Sequence, residues 1–89
     1  MVGTTKIRRY GFEKEREALT KLSKEFDLVY RVPMSNLPFD ILCVSTKNRE
    51  IVFVEVKSPY SNLSDRQNKF MNIINSFDNW KVRYEVLKL

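Results

Sequence analysis

Apolar residues recur along this chain with two different periods, and each change of period marks an element. Phe12, Ala18, Leu19, Leu22 and Phe26 fall on one side of a wheel turning about 100° per residue, which predicts an amphipathic helix from Phe12 to Phe26. LVYRV, at 28–32, is a β-prone run ended by Pro33, and MSNLP, at 34–38, reads as a loop. FDILCVS (39–45) and IVFVEVK (51–57) flank the polar turn TKNRE, so the pair predicts a hairpin. Both runs are apolar at successive positions, as expected of strands at the centre of a sheet with helices on both faces. Ser64 and Gln67 have capping-box spacing and open a second helix, with Phe70, Ile73, Ile74 and Phe77 as its buried stripe. DNW (78–80) reads as a turn. Residues 81–87 alternate Val82, Tyr84 and Val86 with Lys81, Arg83 and Glu85, the pattern of a closing strand. The order α-β-β-β-α-β predicts an α/β fold, a central mixed sheet flanked by helices.

Eighty-nine residues leave room for a single domain, 1–89. Residues 1–10 form a basic arm carrying Lys6, Arg8 and Arg9, expected to be mobile. With one cysteine, Cys43, and no histidine, the chain offers no intrachain disulfide, no Cys/His zinc site and no histidine-based triad. It has no apolar run of membrane-spanning length and no signal-peptide pattern, so a cytoplasmic location is expected. The net charge of +5 suits a polyanionic partner without requiring one.

Three acidic residues sit where a core is expected. With Phe12 at zero, the apolar stripe of the first helix centres near about 300°, and Glu15 falls at about the same angle. An ion pair with an arginine such as Arg31 is the structural explanation. Asp40 interrupts the start of one strand, and Glu55 and Lys57 share a face at the end of the next. Hairpin pairing brings those two ends together. Two carboxylates and a lysine then converge at one end of the sheet, and the like charges raise each other's pKa. A hard divalent cation, Mg²⁺ or Mn²⁺, would relieve the repulsion; an Asp–Lys–Glu ion-pair cluster is the alternative.

The succession Asp40, Glu55 and Lys57 on consecutive β-runs resembles the PD-(D/E)xK nuclease signature, with Phe39 where the pattern usually has proline and Pro38 one residue earlier. Its wider setting is Gly11 and Glu15 opening a helix, Arg31 before a loop with Ser35, then VEVK. That setting resembles the archaeal-type Holliday-junction resolvases over roughly residues 8 to 58. Gln67, after Leu63 and Ser64, resembles instead the VRR-NUC and exonuclease branches of the same superfamily. The resemblance implies a restriction-endonuclease-like core and a Mg²⁺- or Mn²⁺-dependent DNA endonuclease. Asp40, Glu55 and the Val56 carbonyl would hold the metal, assisted by Glu15. Lys57 would orient the attacking hydroxide, and Gln67 would lie near the active site or serve only as a helix cap. Ser35 would lie near the scissile phosphate, and Arg8, Arg9, Arg16 and Arg31 would be candidates for phosphate contacts.

No helix carries residues suited to base readout, so structure-selective or non-specific cleavage, of branched or single-stranded DNA, is expected rather than a sequence-specific cut. Symmetric cutting of a junction would call for a homodimer, with Met71, Phe77 and Trp80 as the expected contact. Rival readings are a flap- or single-strand-directed nuclease of the VRR-NUC type and a non-catalytic nucleic-acid-binding module of the same fold. A double-stranded-RNA-binding domain fits the element order, yet gives Glu15, Asp40 and Glu55 no reason to face inward.

Overall fold

A computed structural model describes residues 13–33, 37–77 and 81–89. The expected order of elements is found. Helix α1 runs over 13–22. It is followed by β1 (Leu28–Arg31), β2 (Ile41–Ser45), β3 (Glu50–Lys57), α2 (Asp65–Ile74) and β4 (Lys81–Lys88). The strands form a mixed sheet in the order β1-β2-β3-β4. The first three are antiparallel neighbours, whereas β3 and β4 are parallel. A parallel pair needs a crossover, and α2 supplies it.

Alternation along the two central strands divides the core between the faces of the sheet. On one face Ile41, Cys43, Val52 and Val54 are buried against Ala18, Leu22 and Phe26 from α1 and the turn after it. Each large aliphatic side chain buried there is worth about 1.5–3 kcal/mol. Burial pushes the Cys43 thiol up to about 11, so it is a packing group and not a nucleophile. The opposite face carries an aromatic cluster. Phe70 of α2 lies 5.4 Å from Phe53 and 5.7 Å from both Tyr84 and Phe39, and Phe39 lies 4.8 Å from Phe53. The centre of the sheet is therefore covered on both sides, as the unbroken apolar runs require.

Three boundaries differ from expectation. Helix α1 stops at 22 rather than at Phe26. The Ser23 hydroxyl and N–H both take the Leu19 carbonyl, at 2.7 and 2.9 Å, and Glu25 N–H bonds three residues back to Leu22. That tight turn still delivers Phe26 to the core. Strand β2 starts at Ile41, because Phe39 has left the strand path for the aromatic cluster. Helix α2 ends at Ile74, so its expected stripe is only half right. Phe70 and Ile74 face the sheet, but Ile73 is 50% and Phe77 47% exposed. The Asn75 N–H closes on the Met71 and Ile73 carbonyls while its side chain accepts the Tyr84 N–H at 3.1 Å, turning the chain out of the helix before Phe77.

The β2–β3 connection places Arg49 in the left-handed region, φ 55°, which disfavours any residue with a Cβ by about 1–2 kcal/mol. The basic arm with Arg8 and Arg9, the turn 78–80 and Ser35 lie outside the described residues.

Candidate active site

Asp40 sits one residue before β2 and is fixed through its backbone on both sides. Its N–H donates to the Val54 carbonyl and its carbonyl accepts from Val32 N–H, each at 2.8 Å. Its Oδ2 reaches across the end of β3 and accepts the Val56 N–H at 2.9 Å. The preceding Pro38 carbonyl accepts the buried Tyr84 hydroxyl at 2.7 Å, and Phe39 is packed among Phe53 and Phe70. The two residues before Asp40 are thus held from β3, α2 and β4 at once.

Glu55 lies beside it on β3. It is only 5% exposed, the one buried acid among the described residues. Burial, then sharing a hydrogen bond with Asp40, then the Asp40 charge push its carboxyl up to about 8; Lys57 pulls the other way and Glu15 adds to the rise. Lys57, two residues on, shares the Glu55 face and is half-buried. The Val54 carbonyl and the Val56 N–H both point toward the Asp40 side, whereas the Lys57 carbonyl takes the Leu89 N–H across β4. Alternation therefore aims the Val56 carbonyl at the Asp40 side, past the start of β2.

Gln67 caps α2, and the same side chain also reaches Glu55. Its Oε1 accepts the Ser64 N–H at 2.9 Å and its own N–H donates to Ser64 Oγ at 3.2 Å, completing the capping box. Its Nε2 donates to Glu55 Oε2 at 2.9 Å. One amide thus anchors the start of α2 and holds a site carboxylate.

Glu15 takes the structural alternative, accepting from Arg31 Nε at 2.6 Å. It acts on Glu55 through space, as a third negative charge. Arg16 is exposed on α1. Of the expected partner surface, Met71 is half-buried, Phe77 is half-exposed and Trp80 lies outside the described residues. No local pattern marks Tyr84 as a support for the residues before Asp40, because its partner Pro38 lies 46 residues away.

Among the described residues no group of three or more His, Cys, Asp or Glu side chains is arranged to hold a metal ion. The chemistry of the donors nevertheless fits a hard divalent cation. Mg²⁺ binds through one or two carboxylates and completes its shell with water and substrate phosphate. Asp40, Glu55 and the Val56 carbonyl offer such a set, all oxygen, and a cation there would offset the repulsion that raises the Glu55 pKa. Among the described residues no helix is long and apolar enough to cross a membrane.

The sequence model of the VRR-NUC domain matches residues 6–88, which spans every element described above. No curated protein and no solved structure matches the chain. The match falls on the branch to which Gln67 pointed.

Proposed function

The chain belongs to the VRR-NUC domain family, a family of PD-(D/E)xK-type nuclease domains, and from that premise we propose that it is a metal-dependent deoxyribonuclease selective for DNA structure. The observation that carries this reading is the Asp40–Glu55 pair, where β2 begins and β3 ends, with the Gln67 amide on Glu55. A bound Mg²⁺ or Mn²⁺ would lower the pKa of water and offset the charge that builds on the phosphate.

The chain's own residues do the rest. Asp40 and Glu55, with the Val56 carbonyl, would hold the cation. Gln67 donates to one oxygen of the Glu55 carboxylate and so restrains its rotation. Lys57 brings a positive charge to the same face, where it attracts the phosphate and favours hydroxide over water. Glu15 adds negative charge while Arg31 keeps it oriented. Arg8, Arg9, Arg16, Arg31 and Ser35 are the proposed contacts to the phosphate backbone, a role that makes binding fall steeply with salt. Branched or single-stranded DNA is the proposed substrate, since neither described helix is built for base readout. Paired cuts in a four-way junction would require two such sites in a two-fold dimer.

The test is cleavage of labelled four-way junction, flap, single-stranded and duplex DNA in Mg²⁺, Mn²⁺ or EDTA, with Asp40→Asn as control. Metal-dependent cutting that Asp40→Asn abolishes supports the proposal. Paired nicks confined to the junction would place the activity with the resolvases, and cutting of flaps or single strands with the exonuclease-like branch. Salt-sensitive binding without any cutting would leave a non-catalytic module.

A further inference from the structure

Tyr60 is 95% exposed, more than any other large apolar side chain described, and it does not stand on a loose loop. Ser61 N–H donates to the Ser58 carbonyl at 3.2 Å, and the two serine hydroxyls meet at 2.7 Å. Pro59 fixes the first central position of this turn and leaves Tyr60 at the second. The Ser61 carbonyl is in turn held by Lys88 Nζ from the neighbouring strand β4. A tightly tied turn thus presents an aromatic ring to solvent, where its burial energy is unused.

The turn belongs to the active end of the sheet. The segment that carries it leaves β3 at Lys57 and returns to the site at Gln67, whose amide holds Glu55. Tyr60 is three residues beyond Lys57, at most about 10 Å of extended chain. Lys57 and Lys88 are paired neighbours on β3 and β4. An exposed ring next in sequence to the residue that Lys88 holds, and three residues beyond Lys57, is a combination suited to unpaired nucleic acid: cations follow the backbone and a flat side chain stacks on a base. Base pairs in a duplex already stack on one another and offer no free face to such a ring.

We infer that Tyr60 is a stacking platform for an unpaired nucleobase next to the phosphate that is cut, so that the enzyme favours DNA with a single-stranded or splayed nucleotide at its site. The inference rests on the nuclease reading and narrows its substrate class. It assigns Tyr60 to binding and not to the chemistry of the phosphate.

The test is the affinity of the wild-type chain, Tyr60→Ala and Tyr60→Phe for labelled DNA in EDTA, read by fluorescence anisotropy. The probes are a short thymidine strand, the same strand without its bases, and a duplex of equal length. Tyr60→Ala is expected to weaken binding of the thymidine strand by about 5- to 150-fold. Tyr60→Phe keeps the affinity, and the baseless strand and the duplex bind all three proteins alike. An unchanged melting temperature shows that the loss is not unfolding. Thymidine-strand binding by Tyr60→Ala equal to wild type overturns the inference, and so does an equal loss on the baseless strand. In either case cleavage that still depends on Asp40 leaves the nuclease reading standing. A wild-type chain that binds none of the probes and cuts nothing would bring down both.

Discussion

At the turn end of the sheet, carboxylates find their partners within the chain. Asp27 accepts the Thr46 N–H at 2.9 Å and the Thr46 hydroxyl, and these bonds hold its carboxyl below the usual range. Glu50 and Glu85 each take a nitrogen of Arg83, at 2.8 and 2.7 Å. At the opposite end Asp40 and Glu55 are set against each other, and the Glu55 carboxyl is pushed up instead. The same sheet thus neutralises its acids at one end and leaves two of them in conflict at the other. Stability alone would favour the first arrangement throughout; the second makes sense where a cation from outside completes the site.

The contrast is broken most severely by removing the conflict. Asp40→Asn or Glu55→Gln is expected to lower cleavage by about 10²–10³-fold or more, whereas Asp27→Asn leaves it within about twofold, as single-turnover rates would show. A large loss of rate in Asp27→Asn with its fold intact would erase the distinction between the two ends.

Next in size is the support beneath Asp40. Tyr84→Phe leaves the Pro38 carbonyl buried without its donor, at a cost of about 1–3 kcal/mol. The same change should weaken Mn²⁺ binding, measured by calorimetry, because it frees the residues leading into Asp40. A fall in melting temperature with unaltered Mn²⁺ affinity would reduce Tyr84 to a packing residue.

Acid and base should act oppositely on the two ends. Glu55 binds its proton more tightly folded than unfolded, so its contribution is complete below about pH 4.5 and is lost as pH rises through about 8. Asp27, with a lowered pKa, contributes fully above pH 3.8 and loses that contribution as pH falls through its folded value. In metal-free buffer, melting temperature should therefore decline from pH 5 toward pH 9, and Glu55→Gln should flatten the decline. A wild-type curve already flat over that range would contradict the conflict between Asp40 and Glu55.

Smaller effects belong to the turn end. Arg83→Met should cost no more than about 1 kcal/mol, since its ion pairs are partly exposed, and should leave cleavage unchanged. Arg49→Gly should stabilise the chain by about 0.5–1 kcal/mol, by relieving its positive φ. Chemical denaturation of both variants measures these changes.

Much of the layout could be read from the sequence because it follows from short-range rules. Alternation and hairpin pairing were enough to bring Asp40 to Glu55, and the spacing of Ser64 and Gln67 was enough to place a cap. What escaped depends on contacts between distant segments. The periodicity of Ile73 and Phe77 cannot foresee that Asn75 bonds to Tyr84 and ends the helix first. Phe39 reads as part of a strand until Phe53 and Phe70 draw it into their cluster. Gln67 offered a helix cap or a place near the acidic cluster, and only the position of α2 over Glu55 shows that one amide both caps the helix and donates to that carboxylate.

The proposed activity requires a divalent cation at the Asp40–Glu55 end of the sheet. The most direct measurement is a calorimetric titration of the metal-free chain with Mn²⁺ at neutral pH, alongside Asp40→Asn and Glu55→Gln. Saturable binding by the wild-type chain, lost in both variants while their folds persist, is the predicted result. Equal binding by all three proteins, or none by the wild-type chain, would contradict it.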